Sequence, residues 1–184
     1  MFRLALIGLG LSLLAAPANA EIVSRSETAF TLAFERTVAA SPEAILEAVA
    51  HPERWWSSAH TYSGDAANIS LDLRPGGCWC EALPGGGVKH AEAVLVWPAR
   101  SMAQFDAPFG PLRGIGAQAV LTLSWAPVEG QPMRRLRWTF VVDGSGSGAM
   151  AEPVHAVMEQ QFGRLADHLS QASQPLQADG DAGR

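Results

Sequence analysis

Alternation is the dominant pattern along this chain. Phe30, Leu32 and Phe34 take every second place in the run 30–38, with Thr31, Ala33 and Glu35 between them. That period predicts a strand with one buried face. Ser41-Pro42-Glu43 changes the signal: a serine suited to an N-cap and a proline suited to the first helical position. They introduce Ala44, Ile45, Ala48 and Val49, a short helical stripe that stops at His51-Pro52. A second short turn carries Glu53 to Trp56. Alternation then resumes in six consecutive segments, 69–73, 78–83, 88–97, 101–106, 120–125 and 134–142. Pro- and Gly-rich turns separate them, as expected of hairpins. In the last of these strands Leu136, Trp138 and Phe140 face one side and Arg135, Arg137 and Thr139 the other.

The end of the chain has a helical period. Glu152-Pro153 opens it, and Val154, Val157, Met158, Leu165 and Leu169 form one stripe over 153–172, widened by Gln161 and Phe162. From 173 to 184 the composition is that of a disordered tail. A sheet with one apolar face and a single long amphipathic helix must cover each other. The predicted fold is α+β, a helix-grip: a curved antiparallel sheet wrapped around a long C-terminal helix, with two short helices after the first strand.

The first twenty residues have a different purpose. Arg3 supplies positive charge, residues 4–16 are apolar or small without a charge, Pro17 breaks the run, and Ala18-Asn19-Ala20 has the small-x-small form of a cleavage site. This is the layout of a secretory signal peptide. Thirteen apolar residues fall short of the roughly 20 that span a bilayer. Cleavage after Ala20 leaves one domain over 21–172, with no membrane span in the mature chain, and predicts a periplasmic or secreted protein.

Composition narrows the partners. The 184 residues carry a formal charge of −5, and 12 of the 13 basic residues are Arg. No basic run is present, so nucleic acid is excluded as a partner. No phosphate-cradle spacing and no tetrahedral metal set occurs, and no cofactor is expected. Cys78 and Cys80 would sit in an oxidising compartment. On a regular strand their Cα atoms stand about 6.5–7 Å apart, at the edge of disulfide geometry. The plainer expectation is two small buried thiols filling a core face; the alternative is a bridge.

Several motifs together resemble a known group. They are Phe34-Glu35-Arg36-Thr37-Val38, the Ser41-Pro42-Glu43 helix entry, Trp55-Trp56 after His51-Pro52-Glu53, Leu73-Arg74-Pro75-Gly76-Gly77, and Gly110-Pro111-Leu112-Arg113-Gly114, closed by the amphipathic helix. In order and spacing, over roughly 28–170, they resemble the SRPBCC superfamily, also called START or Bet v 1-like. The branch they resemble holds Hsp90-ATPase-activator homologues and polyketide cyclase-like proteins. The resemblance implies a cavity between sheet and helix, and members include carriers of hydrophobic ligands, cyclases and co-chaperones. An exported chain does not meet a cytosolic ATP-dependent chaperone, which sets the Hsp90 role aside.

For a cavity of that kind the expected ligand-binding residues are Trp56, Phe105, Trp138, Phe140, Met158 and Phe162, which offer large apolar surface and adaptable packing. His90 and Asp106 are the candidate acid/base groups, though a strand-end role suits either. His155 opens the last helix, His60 and Tyr62 lie in a loop, and two Gly-rich loops, 110–116 and 144–148, flank the expected mouth. Gly144 to Gly148 spells Gly-x-Ser-x-Gly, but outside the strand-turn-helix setting that pattern requires. The expected function is binding of a small hydrophobic or amphipathic molecule. The alternatives are a cyclase or dehydratase using the same cavity, and an envelope interaction or chaperone-like module. Whether the chain is an enzyme stays open, because no complete catalytic constellation is visible.

Overall fold

A computed structural model describes residues 19–172. The signal-peptide reading and the tail from 173 lie outside these residues, except that Asn19 and Ala20 open the first strand. Eight strands form one antiparallel sheet: β1 (Asn19–Arg25), β2 (Ala29–Val38), β3 (Ile69–Leu71), β4 (Cys78–Leu83), β5 (Gly86–Trp97), β6 (Met102–Asp106), β7 (Gln118–Pro127) and β8 (Arg134–Asp143). The spatial order is β1-β2-β8-β7-β6-β5-β4-β3. From β3 to β8 each strand pairs with the next one in sequence, so local hairpins build most of the sheet. The long-range closure is β2 on β8, with Leu32 opposite Phe140 and Phe34 opposite Trp138.

Three helices complete the fold: α1 (Pro42–Ala50), α2 (Pro111–Gly114) and α3 (Ala151–Ala172). Ser41 caps α1 by accepting from the Ala44 N–H at 3.2 Å. α3 begins two residues before the expected proline. Pro153 stands in the first turn, where backbone N–H groups have no intrahelical partner to lose. The strand that alternation did not announce is β1, an edge strand whose apolar residues are half-buried Ala20 and Ile22 and exposed Val23. None of the helices among the described residues is long and apolar enough to cross a membrane.

α3 lies across one face of the sheet. Phe162 meets Trp138 at 5.5 Å and Phe34 at 5.9 Å between ring centroids. The helix also fixes the segment after α1: Arg164 Nε donates to the Trp55 carbonyl at 2.6 Å, and Gln161 Oε1 accepts from the Ser57 N–H at 2.9 Å. The Gly144 to Gly148 loop packs on the β1–β2 turn. A Cβ at Gly148 would stand 1.8 Å from the Ser26 carbonyl oxygen, so only glycine fits there.

Candidate functional site

The middle of the helix-facing side is filled. Trp55, Trp79, Trp138, Phe105 and Phe140 are all buried to 2% exposure or less, and Trp55, Trp79, Trp138 and Phe105 stack edge-on through centroids about 6 Å apart. Open space remains toward one end, a cavity of about 320 Å³. Its floor and walls come from three places. The start of α3 gives Pro153, Val154, Val157 and Met158; the loop after Trp56 gives His60, Thr61 and Tyr62; Phe109, Gly110 and Pro111 lead into α2. The Trp56 indole N–H donates to the His60 carbonyl at 3.0 Å and shapes the loop.

One wall is chemically different. His90 lines the cavity, and its Nε2 lies 2.8 Å from Glu81 Oε2. Regular alternation would not place His90 there, since its neighbour Ala91 already faces the core. A β-bulge does: Trp79 pairs with Ala91 and Cys80 with Lys89, which leaves His90 as the extra residue on β5. A bulge re-aims a side chain, and His90 and Ala91 are consecutively buried as a result. The Glu81 side chain has no solvent exposure. It accepts from the Tyr62 N–H at 3.0 Å and from the Ser63 N–H, and so ties the cavity loop to β4. Burial pushes this carboxyl up, but the hydrogen bonds from Ser63, Tyr62 and His90 outweigh it. The net displacement is downward from the ordinary value. The buried group is therefore a carboxylate, an acceptor only, and the His90 nitrogen facing it carries the proton. The Tyr62 ring lies 5.8 Å from the His90 ring and Phe109 lies 6.5 Å from it.

Of the expected ligand-binding residues, Trp56 and Met158 stand on the cavity wall. Phe105, Trp138, Phe140 and Phe162 do not: they belong to the buried core, Phe105 against Trp79, Trp138 against Phe162 and Phe140 behind Phe109. Alternation identified their face correctly but could not say where on that face the packing leaves space. Asp106 is exposed, because Phe105 beside it points inward and the strand alternates. His155 is half-buried against Phe34 at 5.3 Å, away from the mouth. His60 and Tyr62, read only as loop residues, are cavity residues. Glu81 was not singled out at all. Its signal was its parity with Trp79, two places before it on the same strand.

The two cysteines also differ from the plainer expectation. Cys78 and Cys80 form a disulfide, with Cα atoms 5.3 Å apart rather than the spacing of a regular strand. The register between β4 and β5 shifts between Trp79 and Cys80, and the chain is locally contracted there. Both cysteines are half-buried on the side of β4 opposite Trp79 and Glu81, so they do not fill the core face.

Comparison with known structures decides the fold. A conserved protein of unknown function from Enterococcus faecalis aligns with a TM-score of 0.56 at 10% identity, over 86% of this chain and 80% of that one. CalU16 from Micromonospora echinospora aligns at 0.55 and 16% identity, over 87% and 88%. Norcoclaurine synthase from Thalictrum flavum aligns at 0.54 and 15% identity, over 89% and 97%. The chain has a helix-grip α+β fold, an antiparallel sheet closed by a long C-terminal helix. At these identities the likeness concerns the fold alone. No protein-family profile matches the sequence, and no curated protein does.

Proposed function

We propose that this chain is an exported binding protein that holds one small, mostly apolar molecule in the cavity beneath the start of α3, with a polar group of that molecule set against His90. The observation that carries this reading is the composition of the wall. Trp56, Phe109, Met150, Val154, Val157 and Met158 offer apolar surface, and a few polar groups converge at one end. Small-molecule sites have this character and run from about 300 Å³ upward. A cavity of 320 Å³ lies at the small end of that range and suits a compact ring compound better than a long acyl chain. Burial of apolar area, about 25 cal/mol per Å², supplies the affinity. That norcoclaurine synthase, another helix-grip protein, has been captured with a transition-state analogue supports the use of this fold for small molecules. The N-terminal segment supports export.

The test is native mass spectrometry of protein purified from the cell envelope, with the extracted small molecules identified in parallel. A chain beginning at Glu21 with one apolar or amphipathic compound retained is the expected result. An empty protein that also fails to take up a neutral nitroaromatic probe overturns the binding reading. A chain that keeps residues 1–20 overturns export.

A further inference from the structure

We infer that His90 and Glu81 form a proton-accepting dyad, and that the molecule bound in the cavity presents an acidic hydroxyl, phenolic or enolic, to His90. The inference rests on the binding reading above and adds chemistry to it. A histidine that merely anchored a neutral ligand would need no anion behind it. A fully buried charge is costly unless it is paired and hydrogen-bonded, and here the imidazole is one of its partners. His90 lines the cavity, and the carboxylate that touches its Nε2 belongs to a residue that does not. Glu81 also accepts from the Tyr62 and Ser63 N–H groups, bonds that its charge strengthens. The anion also provides compensation for positive charge arriving on His90.

The geometry prepares that event. With Nε2–H donated to Glu81, the neutral ring carries its free electron pair on Nδ1, which makes no hydrogen bond among the described residues. Tyr62 and Phe109 lie against the ring and restrict its rotation. The titratable groups around it are Glu81 from β4 and His60 and Tyr62 from the loop. The α3 side is apolar: Pro153, Val154, Val157 and Met158. In the step itself the ligand O–H bond breaks and its electron pair stays on oxygen. The proton bonds to Nδ1, and the resulting imidazolium keeps its Nε2–H on the Glu81 carboxylate. The net charge of the site does not change, and no co-reactant is consumed. His90 is the proton acceptor; Glu81 is a positioning residue that orients the ring and stabilises its charged form.

The test uses the full chain and two probes of similar shape, 4-nitrophenol and 4-nitrotoluene, in a buffer about one unit below the nitrophenol pKa. Both are expected to bind, and 4-nitrophenol is expected to bind as the phenolate, read from its visible absorption band. His90→Gln should keep nitrotoluene binding. With 4-nitrophenol at saturation it should lower the phenolate yield about tenfold, which from a mostly ionised bound probe is equivalent to about two pKa units. Glu81→Gln should lose phenolate to a similar degree, a spectroscopic effect that a loop tether would not produce. Circular dichroism checks both variants. Wild-type protein that binds both probes but holds 4-nitrophenol as the neutral phenol overturns the dyad and leaves the cavity reading standing. Variants that ionise the probe as well as wild type overturn the residue assignment. Failure of both probes to bind overturns the cavity reading and the dyad with it.

Discussion

The filled middle of the helix-facing side and its open end belong to one sheet and obey opposite rules. Under the middle of α3, Trp138, Phe140, Phe105 and Phe162 leave no space and bring no buried charge. A few residues away, β4 and β5 carry Glu81 and His90 inward, a bulge aims the histidine, and the loop from Trp56 to Tyr62 stands off far enough to leave a cavity. The first region converts apolar area into stability. The second gives up some packing and buries an anion, which the fold holds only by satisfying it with backbone N–H groups and an imidazole. A helix-grip sheet thus separates its load-carrying half from its chemical half along the length of a single helix.

The largest effect that would break this division is at Trp138. If it belongs to the filled half, Trp138→Ala should cost about 3–5 kcal/mol of stability, as for other buried tryptophans. Urea unfolding measures this. The affinity of the folded protein for 4-nitrotoluene should change by less than about threefold, roughly 0.6 kcal/mol. A tenfold loss of affinity at unchanged stability would move the ligand space under Trp138 and erase the distinction between the halves.

Glu81 sharpens the comparison from the other side. Its carboxyl lies below its ordinary value of 4.5 in the folded chain, so folding favours the ionised form. The contribution is fully present above pH 4.5 and is lost as pH falls through the lower folded value. Wild type should therefore lose stability steeply in that acid window. Glu81→Gln should be less stable by about 2 kcal/mol at neutral pH, from hydrogen bonds to a charged group, and should lack that acid limb. Urea midpoints between pH 7 and pH 3 test it. Parallel pH curves for the two proteins would show that Glu81 is not held as a carboxylate.

How much of this was readable in advance depends on which interactions set each feature. Seven of the eight strands and the long helix followed from period alone, because a buried face imposes alternation or a helical stripe on any sequence that forms it. β1 was silent because none of residues 20–25 is fully buried, whereas β3 at the other edge buries Ile69 and Leu71 and alternates. Trp56, Met158 and His90 were identifiable by type and face. The site as a unit was not, for two physical reasons. Local pattern cannot show a bulge, which depends on how two strands register against each other, and the bulge is what puts His90 beside Glu81 and accompanies the contraction that lets Cys78 meet Cys80. Nor can it show where a face is filled, since Phe140 and Phe109 are equally apolar in sequence and only the path of the loops opens space next to one of them.

Val157 offers the smallest perturbation and the cleanest separation. It is half-buried on α3 and belongs to the cavity wall, one residue before Met158, which is buried. Enlarging it to phenylalanine places new atoms in space that is already open, so the overpacking penalty of a filled core does not apply. Stability should stay within about 1 kcal/mol of wild type, while affinity for 4-nitrotoluene should fall at least about tenfold, 1.4 kcal/mol, because the added ring takes the volume the probe needs. Phe162, four residues after Met158 on the same helix, already fills its place against Trp138 and Phe34. Isothermal titration alongside urea unfolding reads both quantities. If Val157→Phe binds the probe as wild type does, the probe sits elsewhere. If it loses several kcal/mol of stability, the cavity is packed in solution and α3 has one kind of face along its whole length.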